Sequence, residues 1–253
     1  MITVSIIGFG NVAQHLASAF EASSDISLLQ MYSRSKNPDS TLPFSVEIID
    51  VLDKLHKADL YIIAVSDSAI SEISEKLPFE NRLVAHTSGS ISMDAINGKN
   101  RKAVFYPLQT FTKNKNVDFK TIPICLESES ADDYKLLETV AKSISEKVFP
   151  ISSEQRKSLH VSAVFVNNFT NHLYRIAEEI CIEQQVLFDI LKPLIVETAD
   201  KILTLSPQQA QTGPAKRNDQ NTIDSHLDFL TDQNRKAIYK LLTQSISNDG
   251  KKL

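Results

Sequence analysis

Two rhythms divide the chain. From residue 1 to about 150, short apolar runs alternate with stretches whose apolar positions recur every three or four residues, the pattern of parallel βαβ units. The runs fall at 3–7, 27–32, 60–65, 83–86, 103–106 and 122–126. Several are apolar on consecutive residues, as strands covered on both faces must be. Between them, 12–22 gathers Leu16, Ala17 and Phe20 on one stripe, and 69–77 gathers Ile70, Ile73 and Leu77, which predicts helices. After Pro150 the alternation stops. Ser152-Ser153-Glu154-Gln155 forms a capping-box sequence. A helical pattern then runs to about residue 185 through Leu159, Val166, Phe169, Leu173, Ile176 and Ile180, and a second covers 188–205. Ser206 precedes Pro207 as a cap with proline at the first helical position, and two more helices are expected over 222–247. The residues at 250–253 are expected to fray. The fold class is therefore α/β: a doubly wound, mostly parallel sheet over residues 1–151. An all-α C-terminal domain follows over 152–253.

Composition narrows the function classes. With 42% hydrophobic and 23% charged residues among 253, the chain can bury a substantial core. Its net charge of −4 lacks the basic excess of a dedicated nucleic-acid binder. No apolar run approaches the ~20 residues of a membrane span. The start, Met1-Ile2-Thr3-Val4-Ser5, has no basic region and is not read as a signal peptide. Cys125 and Cys181 cannot make a disulfide framework, and no CxxC or HExxH run points to a metal. The expectation is a cytoplasmic protein with a small-molecule substrate and no nucleic-acid or membrane partner.

The candidate chemistry begins at once. Gly8-Phe9-Gly10-Asn11-Val12-Ala13 follows the first strand and opens a helix. In that context Gly8 permits the tight turn, Gly10 admits a pyrophosphate to the backbone, and Ala13 allows close helix–strand packing. The helix N-terminus then offers unpaired N–H groups and partial positive charge to the phosphates. At the end of the second strand an acid would bind a ribose 2′-hydroxyl, but the chain has Tyr32-Ser33-Arg34-Ser35. Arg34, with Ser33 and Ser35, favours a 2′-phosphate and hence NADP(H) over NAD. The strand-end loops Ala64-Val65-Ser66-Asp67 and His86-Thr87-Ser88-Gly89 leave room for a nicotinamide and its ribose, with Ser66 or Asp67 also expected to cap the next helix. His86 reads first as a half-buried histidine bonded to backbone. Gln109, after Pro107, either projects into the cleft or belongs to an ordinary loop anchored by Phe111.

These segments occur together and in order with Pro107-Leu108-Gln109-Thr110-Phe111 and Thr212-Gly213-Pro214-Ala215-Lys216-Arg217-Asn218-Asp219. Over essentially its whole length the chain resembles bacterial Rossmann-like proteins described as NADP oxidoreductases, which carry a C-terminal helical domain of unknown function. More distantly it is similar to the superfamily of pyrroline-5-carboxylate reductase, deazaflavin-dependent NADP reductase and 3-hydroxyacid dehydrogenase. The resemblance implies hydride transfer with a small carbonyl or imine metabolite in the cleft between two domains, and a homodimer formed through the C-terminal helices.

The hydroxyacid dehydrogenases use a Lys-x-x-x-Asn helix motif. Here Asn168 matches the asparagine, but Val164 stands at the lysine position and cannot move a proton. His160, four residues before Val164, is the candidate proton donor, with Asn168 beside it on one helix face. Asn167 and Asn168 lie inside a strongly apolar helix, where amides need partners. Gln109, Asn167, Thr212, Gly213 and Arg217 are the candidate substrate contacts, Arg217 as a bidentate carboxylate ligand. Asp219 is expected to cap the following helix. The missing lysine also supports a second reading, a non-catalytic NADP(H)-binding sensor or regulatory protein.

Overall fold

The computed structural model describes residues 1–35, 46–113 and 115–249, so the fraying expected at 250–253 lies outside the described residues. The chain divides into two compact units, Met1–Asn167 and Asn168–Leu253.

The first unit is built on an eight-stranded sheet in the order β3-β2-β1-β4-β5-β6-β7-β8. In chain order these are β1 (Ile2–Ile7), β2 (Ile26–Tyr32), β3 (Glu47–Ile49), β4 (Leu60–Ile63), β5 (Leu83–His86), β6 (Arg101–Pro107), β7 (Ile124–Ser128) and β8 (Val148–Pro150). The pairings from β3 through to β6 are all parallel, and β6 pairs with β7 antiparallel. The order 3-2-1-4-5-6 is that of dinucleotide-binding Rossmann sheets, with a crevice where the order reverses between β1 and β4. The short strands β3 and β8 escape a periodicity reading because three residues carry too little pattern.

The continuous apolar runs have a direct cause. Val4, Ile6, Leu60 and Ile62 pack into one core layer with Leu16, Ala17 and Phe20 of α1 (Asn11–Glu21). Ile7, Tyr61 and Ile63 pack into the opposite layer with Ile70, Ile73 and Leu77 beside α2 (Ile70–Glu75). Successive residues of β1 and β4 thus serve opposite faces, and each face is covered by helix. One fault sits inside this core: the Ser5 hydroxyl is buried and finds no hydrogen-bond partner in the structure. The strand register between β1 and β2 also slips there, between Val4 and Ser5.

After α3 (Ala131–Lys142) and β8, only helices follow among the described residues. Ser152 closes the predicted capping box with Gln155, and Ser206, expected as a cap, forms a second box with Gln209. The long helix expected to about 185 is α4 (Ser153–Ala163), a π-helical segment (Val164–Phe169) and α5 (Thr170–Glu183) in succession. The second unit continues with α6 (Lys192–Thr204), α7 (Pro207–Ala210), α8 (Pro214–Arg217), α9 (Gln220–Phe229) and α10 (Gln233–Asp249). Asp219 caps α9 by accepting from the Thr222 N–H at 3.2 Å.

The environment expected for the paired asparagines is corrected. Asn167 is half-buried and Asn168 exposed, next to the exposed Phe165, Val166 and Phe169. Apolar spacing in the sequence does not encode burial, and the segment that carries them is π-helical rather than α-helical. Among the described residues of the second unit only Ala215 and Ile223 are buried.

Candidate functional site

The turn after β1 is fixed by steric necessity. Gly8 has φ +137°, and a Cβ there would lie 2.1 Å from the Ala64 carbonyl oxygen at the end of β4. Only glycine lets the two strand ends of the crevice approach this closely. A Cβ on Gly10, by contrast, would meet nothing within 4 Å. Gly10 is the N-cap of α1, makes no side-chain cap, and no acid stands in the first turn. The first N–H groups of α1 therefore face open space with the helix dipole behind them, a setting suited to anionic oxygens. Around them lies a cavity of about 760 Å³ lined by Gly8 to Val12, Tyr32 to Ser35, Ala64 to Ser66, Thr87, Gln109 and Phe111, among others. That volume falls within the roughly 300–1,000 Å³ of ligand pockets.

At one end of this cavity, Ser33 is buried and its hydroxyl accepts the Ser35 N–H at 3.3 Å, shaping the turn that presents Arg34 to solvent. The sequence did not single out Glu72 and Ile73 of α2 or its C-cap Lys76, which line the same cavity. The Lys76 ammonium donates to the Glu72 carboxylate at 2.5 Å. Residues after β6 are also tied to α1. Asn11 Nδ2 donates to the Phe111 carbonyl at 3.0 Å, and His15 contacts the Asn11 and Lys115 carbonyls at 2.7 and 3.0 Å. Gln109 lines the cavity, and Phe111 stacks on Phe119 with ring centroids 5.8 Å apart.

The strand-end residues divide. Thr87, Val65 and Ser66 line the cavity. Ser66 makes no side-chain cap, and Asp67 instead accepts the Ser90 hydroxyl at 2.6 Å, so the capping expected of either side chain is corrected. Ser88 and Gly89 are buried beneath the loop, where the Ser88 hydroxyl accepts the N–H groups of Ser90 and Ile91, each at 3.1 Å. His86 is fully buried, with Nε2 3.2 Å from the Ser92 carbonyl and Nδ1 accepting the Ser88 N–H at 3.2 Å. Burial first, and the nearby Arg156 charge second, push its pKa down to about 4, so it is a neutral structural group.

The same loop is clamped to α4 by a residue the sequence did not single out. Arg156 is only 1% exposed. Its guanidinium donates to the Ser88 carbonyl at 3.1 Å, the Ile91 carbonyl at 2.6 Å, the Ser153 hydroxyl at 3.0 Å and the Glu127 carboxylate at 2.5 Å. One turn on, His160 rests directly on Gly89: a Cβ there would lie 2.5 Å from His160 Nδ1 and 2.8 Å from Tyr106 Cζ. His160 Nδ1 is 3.1 Å from the Tyr106 hydroxyl. Burial raises the Tyr106 pKa to about 12, so the phenol stays protonated and can partner the imidazole in either charge state.

The remaining candidates belong to the second unit. Thr212 and Arg217 are exposed, and Gly213 is the N-cap of α8. His226 pairs with Tyr239, Nδ1 to hydroxyl 2.7 Å.

A solved structure from Bacteroides fragilis, named a putative NADP oxidoreductase, aligns over 98% of both chains with 40% identity and a TM-score of 0.90. The chain belongs to that protein's family. A family model described as a domain of unknown function, DUF2520, matches residues 122–246 of this chain and so begins just before β7 rather than in the helical unit. Protein TM1727 of Thermotoga maritima shares 20% identity over 97% of this chain and 99% of its own, with a TM-score of 0.77. A pyrroline carboxylate reductase of Plasmodium falciparum, solved with NADP bound, shares 11% identity over 97% of this chain and 98% of its own, TM-score 0.63. These two show the same fold. No protein of curated function matches the chain.

Proposed function

We propose that the chain is an NADP(H)-dependent oxidoreductase acting on a small carbonyl or imine metabolite. The observation that carries this reading is the uncapped, acid-free N-terminus of α1 at the Gly8 turn, opening into one cavity with Arg34. The name of the Bacteroides relative supports the same class of chemistry. The residues present fit the cofactor: backbone N–H groups from Gly10 to Val12 for its pyrophosphate, and Ser33 and Arg34 for its 2′-phosphate. When bound, the nicotinamide supplies or accepts a hydride. Val65, Ser66, Thr87 and Gln109 line the same cavity.

In this reading His160 manages the proton. As imidazolium it donates its Nδ1–H to the Tyr106 hydroxyl, leaving the Nε2 proton for the substrate oxygen or nitrogen that becomes basic as hydride reaches carbon. The neutral imidazole left behind recovers a proton from water. Asn167, Asn168, Thr212, Gly213 and Arg217 are proposed substrate contacts, Arg217 for a carboxylate. The protein is further proposed to act as a homodimer through its C-terminal helices. Leu187, Ile190, Leu194 and Leu203 are 75, 67, 61 and 80% exposed, and these apolar side chains support a second copy of the chain as their cover.

Arg34→Ala tests the cofactor assignment. NADPH affinity is expected to fall at least tenfold while NADH affinity changes little, a difference of about 1.4 kcal/mol or more. Equal losses for both would remove the 2′-phosphate role. The sensor reading keeps one supporting observation, Val164 in place of an acid/base lysine, and turnover separates the two. A sensor binds NADPH without oxidising it across a panel of carbonyls and cyclic imines.

A further inference from the structure

The part of the cavity that α2 lines carries more than packing. Glu72 of α2 and Lys76, the residue that caps its C-terminus, lie one turn apart and line the same cavity as Ser33, Arg34 and Ser35. Both side chains remain more than half exposed, so both are free to reorient toward a ligand. Glu72 pairs with Lys76 at 2.5 Å and shares the cavity lining with Arg34. Its hydrogen bond and charge contact with Lys76, followed by the charge of Arg34, hold its carboxyl below the usual carboxylate range.

We propose that Lys76 is a second cation for the 2′-phosphate of NADP(H), and that Glu72 is the internal anion this phosphate displaces. The inference rests on the dinucleotide reading above and extends it from the β2 turn to α2. A phosphomonoester near neutral pH carries close to two negative charges and three acceptor oxygens, enough for an ammonium and a guanidinium together. A ribose hydroxyl carries no charge and cannot take Lys76 from a carboxylate. Glu72 can instead accept a hydrogen bond from that hydroxyl, the arrangement an acid makes in NAD-binding sites. Nucleotide choice is then a balance across the cavity: Arg34 and Lys76 favour the phosphate, and Glu72 opposes it.

The test is calorimetric titration of the full-length protein and three variants, Lys76→Met, Lys76→Arg and Glu72→Gln, with NADPH and NADH. Lys76→Met is expected to weaken NADPH about tenfold and leave NADH within about twofold, the size of a lost charge-assisted contact. NADH binding by the same variant serves as its folding control. Lys76→Arg should retain NADPH affinity. Glu72→Gln should strengthen NADPH several-fold and weaken NADH. Unchanged NADPH affinity in Lys76→Met, or equal losses for both nucleotides, overturns the role of α2. Wild-type protein that binds neither nucleotide overturns the dinucleotide reading itself, before any variant matters.

Discussion

Replacing Arg156 by methionine probes the joint on which the candidate proton donor stands. Methionine keeps much of the bulk and removes every donor. The change strips the Ser88 and Ile91 carbonyls and the Ser153 hydroxyl of their guanidinium contacts, and leaves the Glu127 carboxylate, 18% exposed, without its cation. Glu127 keeps two contacts, the Ser153 N–H at 2.8 Å and its hydroxyl at 2.7 Å, which soften the loss without neutralising the charge. Breaking a buried pair by removing one partner costs about 3–5 kcal/mol. Because the carboxylate retains those contacts and some solvent, the lower half of that range, about 3 kcal/mol, is expected. Urea unfolding followed by circular dichroism reads this as a lower midpoint at unchanged slope. Adding Glu127→Leu to Arg156→Met should recover part of the loss, since two apolar side chains remove the orphaned charge. A single-variant cost below about 1 kcal/mol, or a double variant less stable than the single, would refute the clamp.

Other consequences follow from the same geometry. Gly8→Ala forces a Cβ to 2.1 Å from the Ala64 carbonyl and should cost several-fold or more in NADPH affinity along with stability; wild-type binding by that variant would contradict the turn's role. Gly89→Ala pushes a methyl group into His160 Nδ1, so the His160 imidazole resonances should lose their coupling to Tyr106 in NMR spectra, and unchanged resonances would refute the contact. Ser5→Ala removes a buried hydroxyl without a partner and should be neutral or stabilising by up to about 1 kcal/mol in urea unfolding. A loss of 1 kcal/mol or more would show that the hydroxyl is satisfied. The His86 pKa, about 4 when folded against about 6.5 unfolded, leaves its stability contribution intact above pH 6.5. As pH falls from 6.5 toward 4 the unfolded chain binds the proton first, and about 3 kcal/mol is lost. His86→Gln should flatten that acid limb, and an identical limb in the variant would contradict the assignment.

What the sequence disclosed and withheld has physical reasons. Residues 1–150 were legible because both faces of the sheet are covered, so consecutive apolar residues such as Ile6 and Ile7 advertise a buried strand. The glycine turn was legible because Gly8 and Gly10 stand at fixed offsets from that strand. The α2 wall was not: Glu72 and Lys76 look like any exposed i, i+4 pair until β4 and β2 place them beside Arg34. Arg156 and Tyr106 stayed hidden for the opposite reason. A buried arginine and a strand tyrosine acquire their roles only from partners far along the chain, Glu127 and Ser88 for one, His160 for the other. The helical half shows the remaining limit. Its periodicity gave the helices and their caps, but the exposure of Leu187 or Leu203 depends on what lies against them, and spacing does not encode that.

The central claim, that this protein holds NADP(H) at the Gly8 turn with its 2′-phosphate at Arg34, is tested most directly by calorimetric titration of the purified wild type with NADPH, NADP⁺ and NADH side by side. The account predicts saturable binding of both phosphorylated forms with NADH at least tenfold weaker. NADH binding as tightly as NADPH, or no binding of any of the three, would contradict it.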